Sequence, residues 1–335
     1  MNIVFHCSNS FVPVLSVSII SILEKNQNCD NIVFYIIENH ISEENKRLLN
    51  MMVKTYQREL IFIPMPDMNK DFKLGLKIIK SNWLLDSYSR LFLGTILPNS
   101  VERVLYLDCD TLCNASLDKF YNTDLENYYC AGVIDCLSEA YYELFQLSKK
   151  SFYCNSGVIL FDLKKWRDNN MESKVADYVR SKNGYVFFME QSVMNIVLQE
   201  KIKIIHPQNN VYTLMVAFTH KNLYRLRQQK RYYSDQTIEK AIKSPTIIHL
   251  TNCFYIKGRP WIEGNEHPYK QLYIKYKAQT PWKNEPLLKD KTSWTQRYIF
   301  NIIRLLPQSI VCRLIGYIYN VWRINRIKRK MLNSR

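Results

Sequence analysis

The first hundred residues alternate short β-branched or aromatic runs with stretches of helical periodicity, an order that few folds accept. "NIVFHC" precedes an apolar helical stretch over 11–25, "NIVFYII" precedes "SEENKRLLNMMVKTY", and "LIFIPM" closes the series. Ser42 opens the second helix, with Glu43 and Glu44 where the positive helix end favours acids. Strands separated by helices cross over and pair in parallel, so the pattern predicts an α/β protein with a mostly parallel, doubly wound sheet. Further strands are expected at "YYCAGVID", "SGVILFDL" and "TIIHL", helices at 164–181 and 190–199, and a helical stretch at "SYSRLFLGTIL".

The chemistry begins at "RVLYLDCDTLC", residues 103–113. Val104 to Leu107 read as a buried strand, and alternation along it would send Asp108 and Asp110 to one side and Cys109 to the other. Two carboxylates held that close repel unless a cation or a proton lies between them. A divalent metal answers the requirement, since oxygen ligands suit Mg²⁺ or Mn²⁺ and open α/β sheets bind ligands at the carboxyl ends of their strands. The competing structural reading is a solvated turn with Asp110 capping a helix. A phosphatase-like Asp-x-Asp-x-Thr nucleophile fits poorly, because Thr111 follows Asp110 directly and about a hundred residues precede the motif.

At 335 residues and 47% apolar content, the chain has ample core for one large α/β domain plus an appendage, or for two domains. Nine scattered cysteines without a C-x-x-C pair argue against both a zinc site and a disulfide framework, and for reduced thiols in the cytosol. "FVPVLSVSIISIL" could pass for the core of a signal peptide, yet no basic region precedes it and the strand-like "NIVF" does. No run reaches the roughly 18 uninterrupted apolar residues of a membrane span.

Other polar groups also follow apolar runs: Asp135 after "CAGVI", Asn155 before "SGVILFDL", Glu190 and Gln191 at the start of a helix, and His249 after "TII". Taken singly, His249 would be a hydrogen-bonded histidine at a strand end and Asn155-Ser156-Gly157 a tight turn. A histidine within reach of two aspartates makes an ordinary Mn²⁺ site, so the combination favours metal.

Order and spacing of "NIVF", "HISEENKRLL", "SYSRLFLG", "RVLYLDCDTLC", "CNSGVILFDLKKWR", "EQSVMN" and "IIHL…RPW" resemble glycosyltransferase family 8, over Met1 to about Trp261. The resemblance implies the GT-A nucleotide-sugar transferase fold and a retaining transfer of galactose or glucose from a UDP-sugar to a lipopolysaccharide, capsule or other lipid-linked glycan. It assigns Mn²⁺ (or Mg²⁺) to Asp108, Asp110 and His249, and a place under the reacting sugar to Gln191. Donor contacts fall on His6, Ser8, Trp83, Arg90, Cys109, Asn155, Ser156, Glu190, Lys257 and Arg259, and an acceptor contact falls on Asp135. Ser8 stands where the family usually carries an aspartate facing uridine, Ser192 replaces a usual aspartate, and "HLTNCFYIKGRPW" is four residues longer than the usual ending. A catalytically silent, basic membrane- or polyanion-binding protein on the same scaffold is the alternative.

The net charge of +16 is unevenly placed: from Ser293 onward there are nine basic residues and no acidic ones. The resemblance, ending near Trp261, implies a catalytic domain at 1–265, followed by a helical, basic, amphipathic segment at 266–335. On a helix, Ile310, Val311, Leu314, Ile315, Ile318, Val321 and Trp322 would share one face, with Arg313, Asn320, Arg323, Arg326 and Lys330 on the other. That pattern suits an anionic membrane surface and predicts a cytoplasmic protein peripheral to the inner face of the cell membrane, the competing reading being a helix packed on the catalytic domain with a solvated basic face. No nucleic-acid module accompanies the basic tail, and no nucleic-acid partner is expected.

Overall fold

The computed structural model describes residues 1–76, 86–184 and 186–332. Strands β1 (Asn2–Ser8), β2 (Val33–Asn39), β3 (Glu59–Pro64) and β4 (Arg103–Leu107) pair in parallel in the order β3-β2-β1-β4. A short β5 (Thr111–Cys113) leaves this sheet, which continues through β7 (Cys154–Asp162), β6 (Cys130–Ile134) and β8 (Ile202–Ile204). β7 runs antiparallel to both β4 and β6, so the doubly wound expectation holds with one reversed strand in the middle. A second, three-stranded sheet joins β5, β10 (Ile247–His249) and β9 (Val211–Tyr212).

Alternation along the strands builds both faces. Ile3, Phe5, Leu105 and Leu107 enter one apolar cluster, whereas Val4, Val104 and Tyr106 enter the cluster on the opposite face. The apolar run at 11–23 forms the helix Val12–Lys25, buried nearly all round, whose Ser18 and Ser21 hydroxyls bond Thr111 and the Cys113 amide of β5. The helix Glu43–Lys54 is capped by the Ser42 hydroxyl as expected. "SYSRLFLGTIL" is only partly α-helical: Ser87–Leu91 winds as a 3₁₀ helix before a four-residue turn at Leu93–Ile96. The expected helix at 164–181 is two helices, Leu163–Asp168 and Met171–Ser181, broken where Asn170 adopts φ 51°. Asparagine tolerates the left-handed conformation, and two consecutive asparagines mark the break.

Of the C-terminal helices, Gln308–Tyr317 and Arg323–Leu332 lie against the body, whereas Trp294–Leu305 buries none of its side chains. Cys312 joins the cluster around Leu223 and Leu226, while Ile324 and Ile327 pack among Tyr141, Tyr142, Phe145 and Tyr153. Close approach to the helix His220–Arg227 requires glycine at 316, where an added Cβ would stand 2.4 Å from the Arg225 carbonyl oxygen. The facial assignment of the tail changes accordingly. Asn320 is buried and donates to the carbonyls of Leu226 and Gly316, and Val311 turns inward, while Ile310, Leu314, Ile318, Val321 and Trp322 stay exposed. Trp294 (78% exposed), Tyr298, Ile302 and Leu305 (84%) of the preceding helix are exposed as well, so the tail presents apolar side chains outward. No helix among the described residues is long and apolar enough to cross a membrane.

Candidate active site

The two aspartates do not continue strand β4. They occupy the turn from β4 to β5, closed by the Thr111 hydroxyl on the Asp108 carbonyl at 2.9 Å. Cys109 still points away, its thiol donating to the His6 carbonyl at 3.0 Å. The register of the small sheet sets His249 of β10 opposite Thr111, and the Leu250 amide bonds the Asp110 carbonyl. The histidine Nε2 thereby comes within 3.2 Å of Asp110 Oδ1 and 3.6 Å of Asp108 Oδ2.

One donor atom from each of Asp108, Asp110 and His249 lies within 4.8 Å of the others. Two carboxylates and an imidazole are a donor set for a hard or borderline divalent cation. The partner of the other imidazole nitrogen supports the fit, since Nδ1 lies 3.2 Å from Asn210 Oδ1. Asn210 Nδ2 is committed to Asn155 Oδ1 at 2.9 Å, so its own oxygen faces the ring, accepts the Nδ1 proton and leaves Nε2 free to ligate. Sequence reasoning missed Asn210, whose "QNNVY" context has no periodic or motif signal.

Cations balance the acids. Arg90 Nη2 is 3.1 Å from Asp108 Oδ1 and 3.8 Å from Glu190 Oε1, and Nη1 donates to the Ser156 carbonyl at 2.9 Å. Its guanidinium also lies 4.5 Å above the Tyr106 ring, whose hydroxyl bonds Asp108. Arg259 Nη1 contacts Asp110 Oδ2 at 2.8 Å. Burial opposes ionisation of Asp110, but His249 and Arg259 outweigh it and hold the carboxyl below its ordinary range. Burial likewise opposes the charge on His249, and Asp110 and Asp108 prevail and raise its pKa. Burial first, then the Arg90 charge, lowers His6 to about 4, so this ring is neutral at physiological pH.

Gln191, early in the helix Met189–Leu198, links the site to the next cavity. Its Oε1 accepts from the Ser156 amide at 3.0 Å and from Asn155 Nδ2 at 3.4 Å, and its Nε2 donates to Asp135 Oδ2 at 2.9 Å. Phe188 and Met189, just before Glu190, carry φ of 59° and 52°. Bulky residues there are strained, which the surrounding structure must hold in place at the mouth of the site. Ser192 lies fully buried, sharing a 2.9 Å hydrogen bond with the Tyr153 hydroxyl, and so faces the core.

One cavity of about 640 Å³ gathers His6, Ser8, Arg90, Asp108, Cys109, Asp110, Asn155, Ser156, Glu190, Gln191, His249 and Arg259. It also takes in Tyr106, Ser87 and Thr251, none of them singled out by the sequence. Asp135 lines the adjoining cavity across Gln191. Lys257 is not a wall of either, its Nζ sitting beside Gly264, so of these two cations it is Arg259 that joins Arg90 in reaching the aspartates. Trp83 lies outside the described residues.

The model described as Glycosyl transferase family 8 matches residues 2–263. The chain belongs to this family. It is a glycosyltransferase with the GT-A architecture. A protein of Haemophilus influenzae is 33% identical over 214 residues, and the alignment spans 63% of this chain and 63% of that one. The lipopolysaccharide 1,2-glucosyltransferase of Escherichia coli K12 is 26% identical over 289 residues, 85% of this chain and 80% of its own. Among solved structures, the galactosyltransferase LgtC in complex with donor and acceptor sugar analogues superposes with a TM-score of 0.69 at 19% identity, covering 89% of this chain and 99% of that one. At that identity the likeness speaks for the fold.

Proposed function

We propose that this family 8 glycosyltransferase moves a hexose, galactose or glucose, from a UDP-sugar to a lipopolysaccharide or other lipid-linked glycan with retention of the α-configuration. The observation that carries the reading is the convergence, in one cavity, of the Asp108–Asp110–His249 donor set with Gln191 and the Asn155–Ser156 edge of β7. The names of the lipopolysaccharide glucosyl- and galactosyltransferase relatives support the sugar and acceptor class.

In this reading Asp108, Asp110 and His249 hold Mn²⁺ or Mg²⁺, which when bound neutralises charge on the leaving diphosphate. Arg259 and Arg90 supply fixed positive charge beside the same oxygens, and Ser8, Cys109 and His6 border the nucleoside end. Gln191 works under the sugar. Its oxygen already accepts from the Ser156 amide and its nitrogen is tied to Asp135, so a weakly nucleophilic amide is held still beside developing oxocarbenium charge. Attack from the face the diphosphate leaves then retains configuration, with Asp135 positioned to orient the incoming hydroxyl.

Residues 1–265 form the catalytic unit in this proposal, and 266–335 add a face for the anionic cytoplasmic surface of the cell membrane. The outer apolar face of the tail, flanked by Arg297, Arg304, Arg313, Arg326 and Arg329, supports that location. UDP release is the direct test: the full chain is incubated with Mn²⁺ and a panel of UDP-sugars, first alone and then with lipopolysaccharide core oligosaccharide. Release from at least one UDP-hexose, stimulated by the oligosaccharide, is expected. No release from any donor would leave the silent-scaffold alternative.

A further inference from the structure

Across Gln191 lies a second cavity of about 280 Å³ that shares Asn155, Phe188, Gln191 and Thr251 with the first. Asp135 is the acid in its wall, and it is engaged by the Gln191 amide and by the Cys136 backbone N–H. Two arginines also face the cavity. Arg227 ends the helix His220–Arg227, and Arg323 begins the last helix of the chain.

Neither arginine has a carboxylate within 4.0 Å among the described residues, although Arg90, Arg231 and Arg259 nearby all do. Arg227 Nε is buried without a hydrogen-bond partner, and its guanidinium lies 3.9 Å over the Tyr319 ring. Arg323 lies 5.4 Å from the same ring and about as close to Phe187 and Phe188, at 4.9 and 5.1 Å. Guanidinium groups remain charged, and a charge in an aromatic, partly water-excluded wall is costly unless an anion meets it. Aromatic stacking orients the two planes but offers no acceptor to the N–H groups, and Arg227 Nε has none.

We propose that this cavity is an acceptor subsite for an anionic sugar, with a phosphate or carboxylate held by Arg227 and Arg323 while Asp135 takes a hydroxyl. The term acceptor rests on the transferase reading; oxyanion recognition does not. The C-terminal segment, through Tyr319 and Arg323, would then complete the substrate site as well as its outer face.

Full-length protein without donor is titrated with glucose 6-phosphate, glucuronic acid and glucose, followed by saturation-transfer NMR. At least one charged sugar is expected to bind tenfold or more tightly than glucose, and the pair distinguishes phosphate from carboxylate. Arg227→Gln and Arg323→Gln should each collapse that preference towards unity. If Arg227→Gln does not fold, Arg323→Gln decides. Equal binding of all three sugars, or a preference that survives in the folded variants, overturns the proposal. Donor is absent from these titrations, so their outcome is independent of UDP release by the unmodified protein, on which the transferase reading stands or falls.

Discussion

Gly157→Ala should separate the metal-ligand geometry from everything else, because one methyl group aims at the centre of the site. Gly157 adjoins Asp108, whose amide bonds the Gly157 carbonyl at 2.8 Å, and its φ lies outside the left-handed region, so alanine adds no backbone strain. The new Cβ would stand 2.3 Å from His249 Cε1 and 2.5 Å from Asp108 Oδ2, where ordinary contact begins at 3.4 Å. The imidazole must therefore retreat by about 1.1 Å, the difference between 3.4 and 2.3 Å, and the carboxylate by nearly as much. Retreat is costly for both: His249 is 3% exposed and tied to Asn210, and Asp108, though partly exposed, is held by Arg90 and Tyr106. A displacement of about 1 Å among catalytic groups costs roughly 100-fold in rate. Overpacking of this kind costs about 1–3 kcal/mol of stability, a loss of several degrees in Tm. The expected result is a folded protein with UDP release down roughly 100-fold and weakened Mn²⁺ binding by calorimetry. Turnover within threefold of the parent, with unchanged Mn²⁺ affinity, would refute the geometric argument.

Asp110→Asn should reduce turnover to background with the fold retained by circular dichroism, and EDTA should do the same reversibly; full activity in EDTA would sink the metal assignment. Mn²⁺ affinity should rise with pH through a midpoint above 6.5, because the proton that Asp110 and Asp108 hold on His249 must leave before the ring can ligate. The same raised pKa stabilises the metal-free protein fully below pH 6.5, so its Tm should decline as pH climbs through the folded-state value; a flat profile contradicts this. The product anomer should be α by NMR, and a covalent sugar trapped on Gln191 would overturn the role given to that amide. Leu305→Glu combined with Tyr317→Glu should abolish sedimentation with anionic liposomes at low salt without lowering Tm, since both side chains are more than half exposed. Removal of the whole tail would uncover the core around Cys312, Ile324 and Ile327, so point substitutions are the cleaner probe.

The residue order by itself determined the layered α/β plan, because period-2 and period-3.6 patterns are local and survive in a linear string. It also singled out Asp108, Asp110, His249 and Gln191, which all follow or flank apolar runs. Their convergence was a matter of tertiary structure: the aspartates meet in a turn, and β5–β10 register brings His249 across some 140 residues of chain. The reversed β7 had no signature, since a buried strand reads alike in either direction. Asn210 behind the histidine and the unpaired Arg227 beside Tyr319 were equally silent, because an isolated polar side chain acquires its role from neighbours distant in sequence. The tail shows the same division. Its sequence announced amphipathic helices, but only packing decided that Val311, Asn320 and Ile324 face the body and Leu305, Leu314 and Trp322 face outward, because helical periodicity reports that a face is buried without naming what buries it.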